Sequence, residues 1–298
     1  MYTSYWGLSE KPFENTPDPR FIYYSQQHEE AMARMLYVVR EKKGAALLTG
    51  EYGCGKTLLS RVLKNELLQE NKYQSVYIID PRLLGLEFIQ EVVYQLSGSS
   101  VPQSKIELFH SIYKLLYANH SAGKHTVLVI DEAQAIKSKR VFEELRLLVN
   151  FQLDNAFLMT VILMGSPELK GAVMNLPQLL QRMAVRYHLN GLNEKETKEY
   201  ILHRLKIAGA TRPIFTEDAF HEIYLCACGT PRRINNVCDL ALLIGTSSNL
   251  QMIDRKTIKD INEDIEIPMF EEVNLYKSAP APHMEEAGKT QDQAGGTA

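Results

Sequence analysis

The chain has 298 residues, a formal net charge of −3, 45% hydrophobic residues and 23% charged residues. That length holds one large domain, or a large and a small one, and the composition is that of a soluble globular protein rather than one dominated by phosphate-neutralising Lys and Arg. No apolar run reaches the ~20 residues of a membrane-spanning helix, no leader pattern opens the chain, and four cysteines (Cys54, Cys226, Cys228, Cys238) are too few to staple it, which fits a reducing cytoplasm.

Residues Met1–Arg20 are rich in Pro and aromatics and read as an extended segment packed on something else. Gln26–Glu41 has the spacing of an amphipathic helix through Ala31, Met35, Leu36 and Val39. Short apolar strands then alternate with helices. The strands are Ala45–Thr49, Ser75–Ile79, Thr126–Ile130, Phe157–Met164 and Val185–Leu189. Between them lie helical stretches at Thr57–Glu70, Leu86–Leu96, Ile106–His120, Arg140–Phe151 and Glu168–Val173. This alternation is the pattern of a parallel sheet covered on both faces, an α/β domain. After Gly191 the strand pattern stops, and Glu194–Ile207, Glu217–Ala227, Pro231–Ile244 and Arg255–Asp264 read as an all-helical second domain. The expected division is an N-terminal segment and helix over 1–44, an α/β domain over 45–191, a helical domain over 192–268 and a disordered tail over 269–298. Cys226, Cys228 and Cys238, with His221 nearby, lack paired C-x-x-C spacing and read as buried structural thiols rather than a zinc site.

Gly50-Glu51-Tyr52-Gly53-Cys54-Gly55-Lys56-Thr57 matches G-x-x-x-x-G-K-[ST], between a predicted strand and a predicted helix that continues through Leu58. Glycines at this spacing let consecutive N–H groups turn toward phosphates, Lys supplies a mobile cation for the β/γ oxygens, and the Thr hydroxyl is a Mg²⁺ ligand. The loop therefore predicts binding of ATP with Mg²⁺. Cys54 sits at a variable position of the loop and reads as a tolerated small residue. Val127-Leu-Val-Ile-Asp131-Glu132 places an acidic pair at the carboxyl end of a buried strand, where ligands of open α/β sheets bind. Asp131 is expected to hold the metal and Glu132 to polarise an attacking water.

Ser166 ends a predicted strand, where it either orients that water or caps the helix beginning at Pro167. Arg182 and Arg186 bracket the last strand and are candidates for a finger reaching a neighbouring subunit's nucleotide. Gly229-Thr-Pro-Arg232-Arg233 opens a helix of the second domain, from which an arginine would reach back to the γ-phosphate. The aromatic cluster Phe21, Tyr23, Tyr24 reads as core packing, with a stacking role on adenine as the alternative.

As a set these residues resemble the AAA+ superfamily and, more narrowly, the bacterial ExeA/GspA-type ATPases. The likeness rests on Trp6-Gly-Leu-Ser-Glu-Lys-Pro-Phe13, Thr16-Pro-Asp-Pro-Arg-Phe21, Ile130-Asp-Glu-Ala-Gln134, Met164-Gly-Ser-Pro-Glu-Leu169, Gln181-Arg182, Arg186-Tyr-His-Leu189 and Gly229-Thr-Pro-Arg-Arg-Ile-Asn235, and covers about Met1 to Pro268. It implies a sheet ordered 5-1-4-3-2, a helical lid, and homo-oligomers with ATP sites between subunits. It places Ser166 at the sensor-1 position, where the family more often has Gln, Arg182 ahead of Arg186 as the finger, Arg232 as the sensor-2 arginine, and His28 near the nucleotide. It also implies a protein partner in a membrane-associated secretion or pilus assembly, a peripheral place at the inner membrane through that partner, and hydrolysis coupled to lid and subunit motion. An ATP-gated DNA-binding transposition regulator of the TniB/MuB kind is the alternative, which the net charge of −3 disfavours.

Overall fold

The computed structural model describes residues 2–99 and 101–264, and Met1–Asn262 form one compact unit. The expected tail, 269–298, lies outside the described residues.

A one-turn helix α1 (Tyr2–Trp6) is followed by an irregular strap, a 3₁₀ turn at Pro19–Phe21, and α2 (Gln26–Arg40). The α/β part runs β1 (Ala45–Gly50), α3 (Lys56–Gln69), β2 (Tyr73–Ile78), α4 (Gly85–Ser97), α5 (Lys105–Ser121), β3 (His125–Ile130) and α6 (Lys139–Val149). A small hairpin, β4 (Gln152–Leu153) and β5 (Ala156–Phe157), leads to β6 (Met159–Gly165), α7 (Pro167–Met174), α8 (Pro177–Gln181) and β7 (Met183–Leu189). Four helices close the described chain: α9 (Glu194–Ile207), α10 (Glu217–Ala227), α11 (Pro231–Ser247) and α12 (Arg255–Asp264).

The main sheet is five-stranded and parallel in its pairings, ordered β2-β3-β6-β1-β7. Numbered by its own strands alone, that is the 5-1-4-3-2 order. Period-two alternation splits each central strand between two cores. Ala45, Leu47, Leu128, Ile130, Val161 and Leu163 face α4, α5 and α6. Their neighbours Ala46, Leu48, Val127, Val129, Ile162 and Met164 face α2 and α3. Both faces being covered explains why these strands are apolar along their whole length.

Two departures from the sequence reading have local causes. Residues 2–6 are helical rather than extended, because Tyr2 and Trp6, four apart, bury one face against α11, where Trp6 Nε1 donates to the Leu242 carbonyl at 2.9 Å. Phe157 belongs to the β4–β5 hairpin, which turns at Asp154-Asn155, and the following sheet strand begins at Met159. The cysteines also divide: Cys54 and Cys238 are buried and Cys226 half-buried, but Cys228 is exposed, since it ends α10 in a left-handed conformation ahead of Gly229. Among the described residues no group of three His, Cys, Asp or Glu side chains stands close enough to hold a metal.

Candidate functional site: a nucleotide cleft

The parallel order brings the carboxyl ends of β1, β6 and β3 side by side. Thr49 pairs with Gly165, and Ile130 pairs with Leu163. The loop 50–57, Ser166 and the Asp131-Glu132 pair therefore emerge within about 10 Å of one another, given ~4.8 Å between strands.

The loop itself is built as its glycines require. Gly53 and Gly55 have φ of +83° and +97°, a region side chains avoid. A Cβ on Gly53 would come within 2.7 Å of Arg232 Cβ, and one on Gly55 within 3.1 Å of His28 Nε2. Gly55 caps α3, so the helix begins at Lys56 with free N–H groups and its positive dipole end directed at the loop. Lys56 is 5% exposed and donates to the carbonyls of Gly50 (2.7 Å) and Glu51 (2.9 Å). Burial holds its pKa below the usual lysine value.

His28 braces the loop from beneath. Its Nε2 donates to the Cys54 carbonyl at 3.0 Å, which leaves Nδ1 to accept from the Ser25 hydroxyl at 2.6 Å. Burial depresses its pKa and keeps it neutral. His28 thus contacts the backbone of the loop rather than the space in front of it. Cys54 lies behind the loop, its thiol pushed up to about 11 by burial, which is the environment of an inert packing residue.

Asp131 is 4% exposed. Burial raises its pKa against the opposing pull of the Thr57 hydroxyl and the Glu132 N–H, which donates to Asp131 Oδ1 at 2.9 Å. A buried carboxylate beside a hydroxyl is a hard-oxygen pair suited to Mg²⁺, and a divalent cation there would relieve the desolvation that now disfavours the anion. Glu132 sits at φ +49°, a left-handed conformation that costs a non-glycine residue about 1–2 kcal/mol. Its carboxylate accepts from Gln134 Nε2 at 2.5 Å, and Gln134 Oε1 accepts from the Ser166 backbone N–H at 3.0 Å. Gln134 therefore ties the acidic pair to the end of β6. In the sequence it stands out only as the last residue of Ile130-Asp-Glu-Ala-Gln134, two positions after the acidic pair. Ser166 is fully buried at the N-cap position of α7, and its hydroxyl donates to the Glu168 carboxylate rather than accepting from the helix backbone. Of the two expectations for Ser166, the structure shows the N-cap position of α7.

An open cleft lies over this edge. Tyr52, Gly53, Gly55, Lys56, Thr57, Leu58 and Glu132 form its floor, and the strap residues Glu14–Pro17 form one wall. The helical part lines it beside the strap: Tyr200 and Arg204 on α9, Pro231, Arg232 and Asn235 on α11. Arg232 also donates its backbone N–H to the Gly53 carbonyl at 3.3 Å. The strap and the α9 residues are participants that motif spacing did not reveal. Phe21, Tyr23 and Tyr24 do not line the cleft; Phe21 lies under Arg204 at 5.0 Å, and Tyr23 donates to Glu199.

The two finger candidates are elsewhere. Arg182 precedes Met183, which pairs with Ala45 at the opposite end of β1 from Gly50. Five strand steps at about 3.3 Å separate it from the loop by roughly 17 Å. Its guanidinium rests on Phe157 at 5.6 Å. Arg186 pairs with Leu47 at mid-strand on the outermost strand β7 and is exposed. Neither reaches the cleft of its own chain.

A phosphate loop at the end of β1, an acidic pair at the end of β3 and a helical segment carrying Arg232 over the loop define a P-loop ATPase of the AAA class. The AAA domain family matches residues 39–173. General secretion pathway protein A of Aeromonas hydrophila is 38% identical over 275 residues, 91% of this chain and 48% of that protein. The chain belongs to the ExeA/GspA-type AAA ATPases, and it spans about half the length of that relative. An uncharacterised HTH-type transcriptional regulator of Methanocaldococcus jannaschii is 26% identical over 58% of the chain and 42% of its own length. Among solved structures the fold is similar to Cdc6p of Pyrobaculum aerophilum (TM-score 0.65, 17% identity, 88% of this chain and 74% of that one). It is also similar to the RuvB Holliday junction branch migration motor of Thermotoga maritima (TM-score 0.56, 18% identity, 82% and 70%).

Proposed function

We propose that the chain binds Mg·ATP in the cleft above β1, β6 and β3, and couples its hydrolysis to movement of the helical segment 192–264 against the α/β part. The observation that carries this is one cleft lined together by Lys56, Thr57, Glu132 and, from a separate helical layer, Arg232. Lys56 leaves its carbonyl acceptors for the β/γ oxygens and provides a compact, mobile positive charge. Thr57 and Asp131 are the residues that would hold Mg²⁺. The metal would supply further neutralisation of the phosphate oxygens. Glu132 accepts the proton of the attacking water, and Gln134 holds its carboxylate in place relative to Ser166. Arg232 senses the γ-phosphate. Because Arg182 lies far from its own loop, it serves a neighbouring subunit, with Arg186 second to it; the working form is then an oligomer.

The cellular role we propose is an envelope process of the secretion or pilus-assembly kind, exerted in the cytoplasm at the inner membrane through a protein partner. The support is the 38% identity to a protein named for the general secretion pathway. Among the described residues no helix is long and apolar enough to cross a membrane.

The test is Glu132→Gln. It is expected to bind ATP with near-normal affinity and to lose hydrolysis by about 10²–10⁴-fold, measured as phosphate release beside equilibrium nucleotide binding. Undiminished turnover would remove Glu132 from the mechanism, and absence of ATP binding by the unaltered chain would remove the cleft.

A further inference from the structure

Arg204 is 6% exposed and, among the described residues, has no carboxylate within ion-pair distance. A buried charge without a counter-ion needs other compensation, and here it comes from neutral acceptors. Nε donates to the Pro12 carbonyl at 2.5 Å, one terminal nitrogen to the Glu14 carbonyl at 2.9 Å, and the other to the Tyr200 hydroxyl at 2.8 Å. The rings of Phe21 and Tyr200 lie 5.0 and 5.6 Å from the guanidinium carbon.

A guanidinium only donates, so it sets the direction of every hydrogen bond that follows. Tyr200 accepts from Arg204 and must donate onward, to Asn235 Oδ1 at 2.8 Å. Asn235 then turns its amide nitrogen to Asn15 Oδ1 at 3.0 Å, and Asn15 turns its own to Asn236 Oδ1 at 2.6 Å. One cation thus orients a chain of side chains that passes through the strap at Asn15 and ends on α11 at Asn236. Tyr200, Asn235 and Asn15 all line the nucleotide cleft. Asn235 stands three residues beyond Arg232, on the same face of α11. From the other side, Arg61 on α3 donates to the Pro17 carbonyl at 2.9 Å. The strap is therefore pinned by α9 and α11 at one end and by the helix of the phosphate loop at the other.

We propose that Arg204 is a positioning residue for nucleotide binding. It holds Glu14–Pro17 as the outer wall of the cleft, and so sets how fast nucleotide leaves, without touching the reacting phosphates. This rests on the cleft being the nucleotide site. Removing the guanidinium leaves the buried Pro12 carbonyl, the part-buried Glu14 carbonyl and the Tyr200 hydroxyl without their donor, and frees the relay to reorient. The strap then swings away while the loop, Asp131 and Glu132 stay in place.

The experiment uses the full chain, a fluorescent ADP analogue in stopped flow for dissociation, and steady-state ATP hydrolysis. Arg204→Met, which preserves much of the packing, is expected to speed analogue release by about 10–100-fold and to raise KM for ATP, with kcat at saturation within about twofold. Arg204→Lys, with one ammonium in place of the fork, should fall between it and the unaltered chain. Asn15→Ala, on the strap, should shift release in the same direction by a smaller factor, and it decides the matter if Arg204→Met does not fold. Release and KM unchanged in a folded Arg204→Met, or in Asn15→Ala where that variant must decide, would overturn the role, as would kcat falling in parallel with kcat/KM. Failure of the unaltered chain to bind the analogue or ATP would overturn the reading of the cleft itself, a result distinct from bound analogue with unaltered release in the variants.

Discussion

At the scale of single residues, burial disfavours the charged form of titratable groups at the cleft and in the core alike. Lys56 and Asp131 are both buried, and each has its charged form disfavoured by desolvation, so both are poised to gain when an opposite charge arrives. His125 is buried at the start of β3, where Nε2 pairs with the Thr160 hydroxyl at 2.8 Å. Burial first, then Lys42 and His120, depress its pKa from 6.5 to about 4. A folded-state value below the unfolded one means that the unfolded chain takes up the proton first. Stability from His125 is therefore complete above about pH 6.5 and declines as pH falls toward 4, by about 3 kcal/mol in all. His28, depressed by burial as well, acts with the same sign. The melting temperature is thus expected to drop between pH 7 and pH 4.5, and His125→Gln should flatten that slope whatever it does to the plateau. An equal slope in the variant would assign the acid sensitivity to other groups.

Among the elements, the loop after β1 and the strand end at β6 are where the backbone leaves no room for a side chain. Gly165 lies in β6 with no space for a side chain: a Cβ there would come within 2.5 Å of Gln134 Oε1 and 2.8 Å of Leu169 Cδ2. Gly165→Ala is expected to push Gln134 away from Glu132, lowering kcat about tenfold or more while ATP affinity changes little. Nucleotide titration beside phosphate release checks this, and unchanged kcat would mean that the Gln134 bridge is dispensable. The helices were the easier elements to read. Glu194–Ile207, Glu217–Ala227 and Arg255–Asp264 stand where their caps and periodicity placed them, with Asn193 closing a capping box on Glu196. The short hairpin 152–157 and α8 were not legible, since pieces of two to five residues carry too little periodicity to stand out from a loop.

For the whole molecule, the position of Arg182 at the far end of β1 from the phosphate loop makes a strong demand. If that arginine acts on a neighbouring chain's nucleotide, Arg182→Ala should bind ATP and fail to hydrolyse it. Mixed with Glu132→Gln, it should recover partial activity, because a Glu132 from one chain then meets an Arg182 from the other. Hydrolysis is measured on the two inactive variants alone and together. No recovery on mixing, at concentrations where the chains associate, would place the finger elsewhere.

The phosphate loop, the acidic pair, the sheet class and the helical segment after Gly191 were determined by the sequence alone. Each is a local matter: glycines at fixed spacing, a carboxylate ending an apolar run, and a change of hydrophobic period. The sheet order implied by family resemblance is also the order observed. Only the tertiary structure decided what surrounds the loop. His28 grips it from behind through the Cys54 carbonyl, Gln134 joins Glu132 to Ser166, and Arg204 ties the strap to α9. Most of these contacts join residues distant along the chain, and an Arg or Gln in a helix or turn has no spacing rule that reveals its partner.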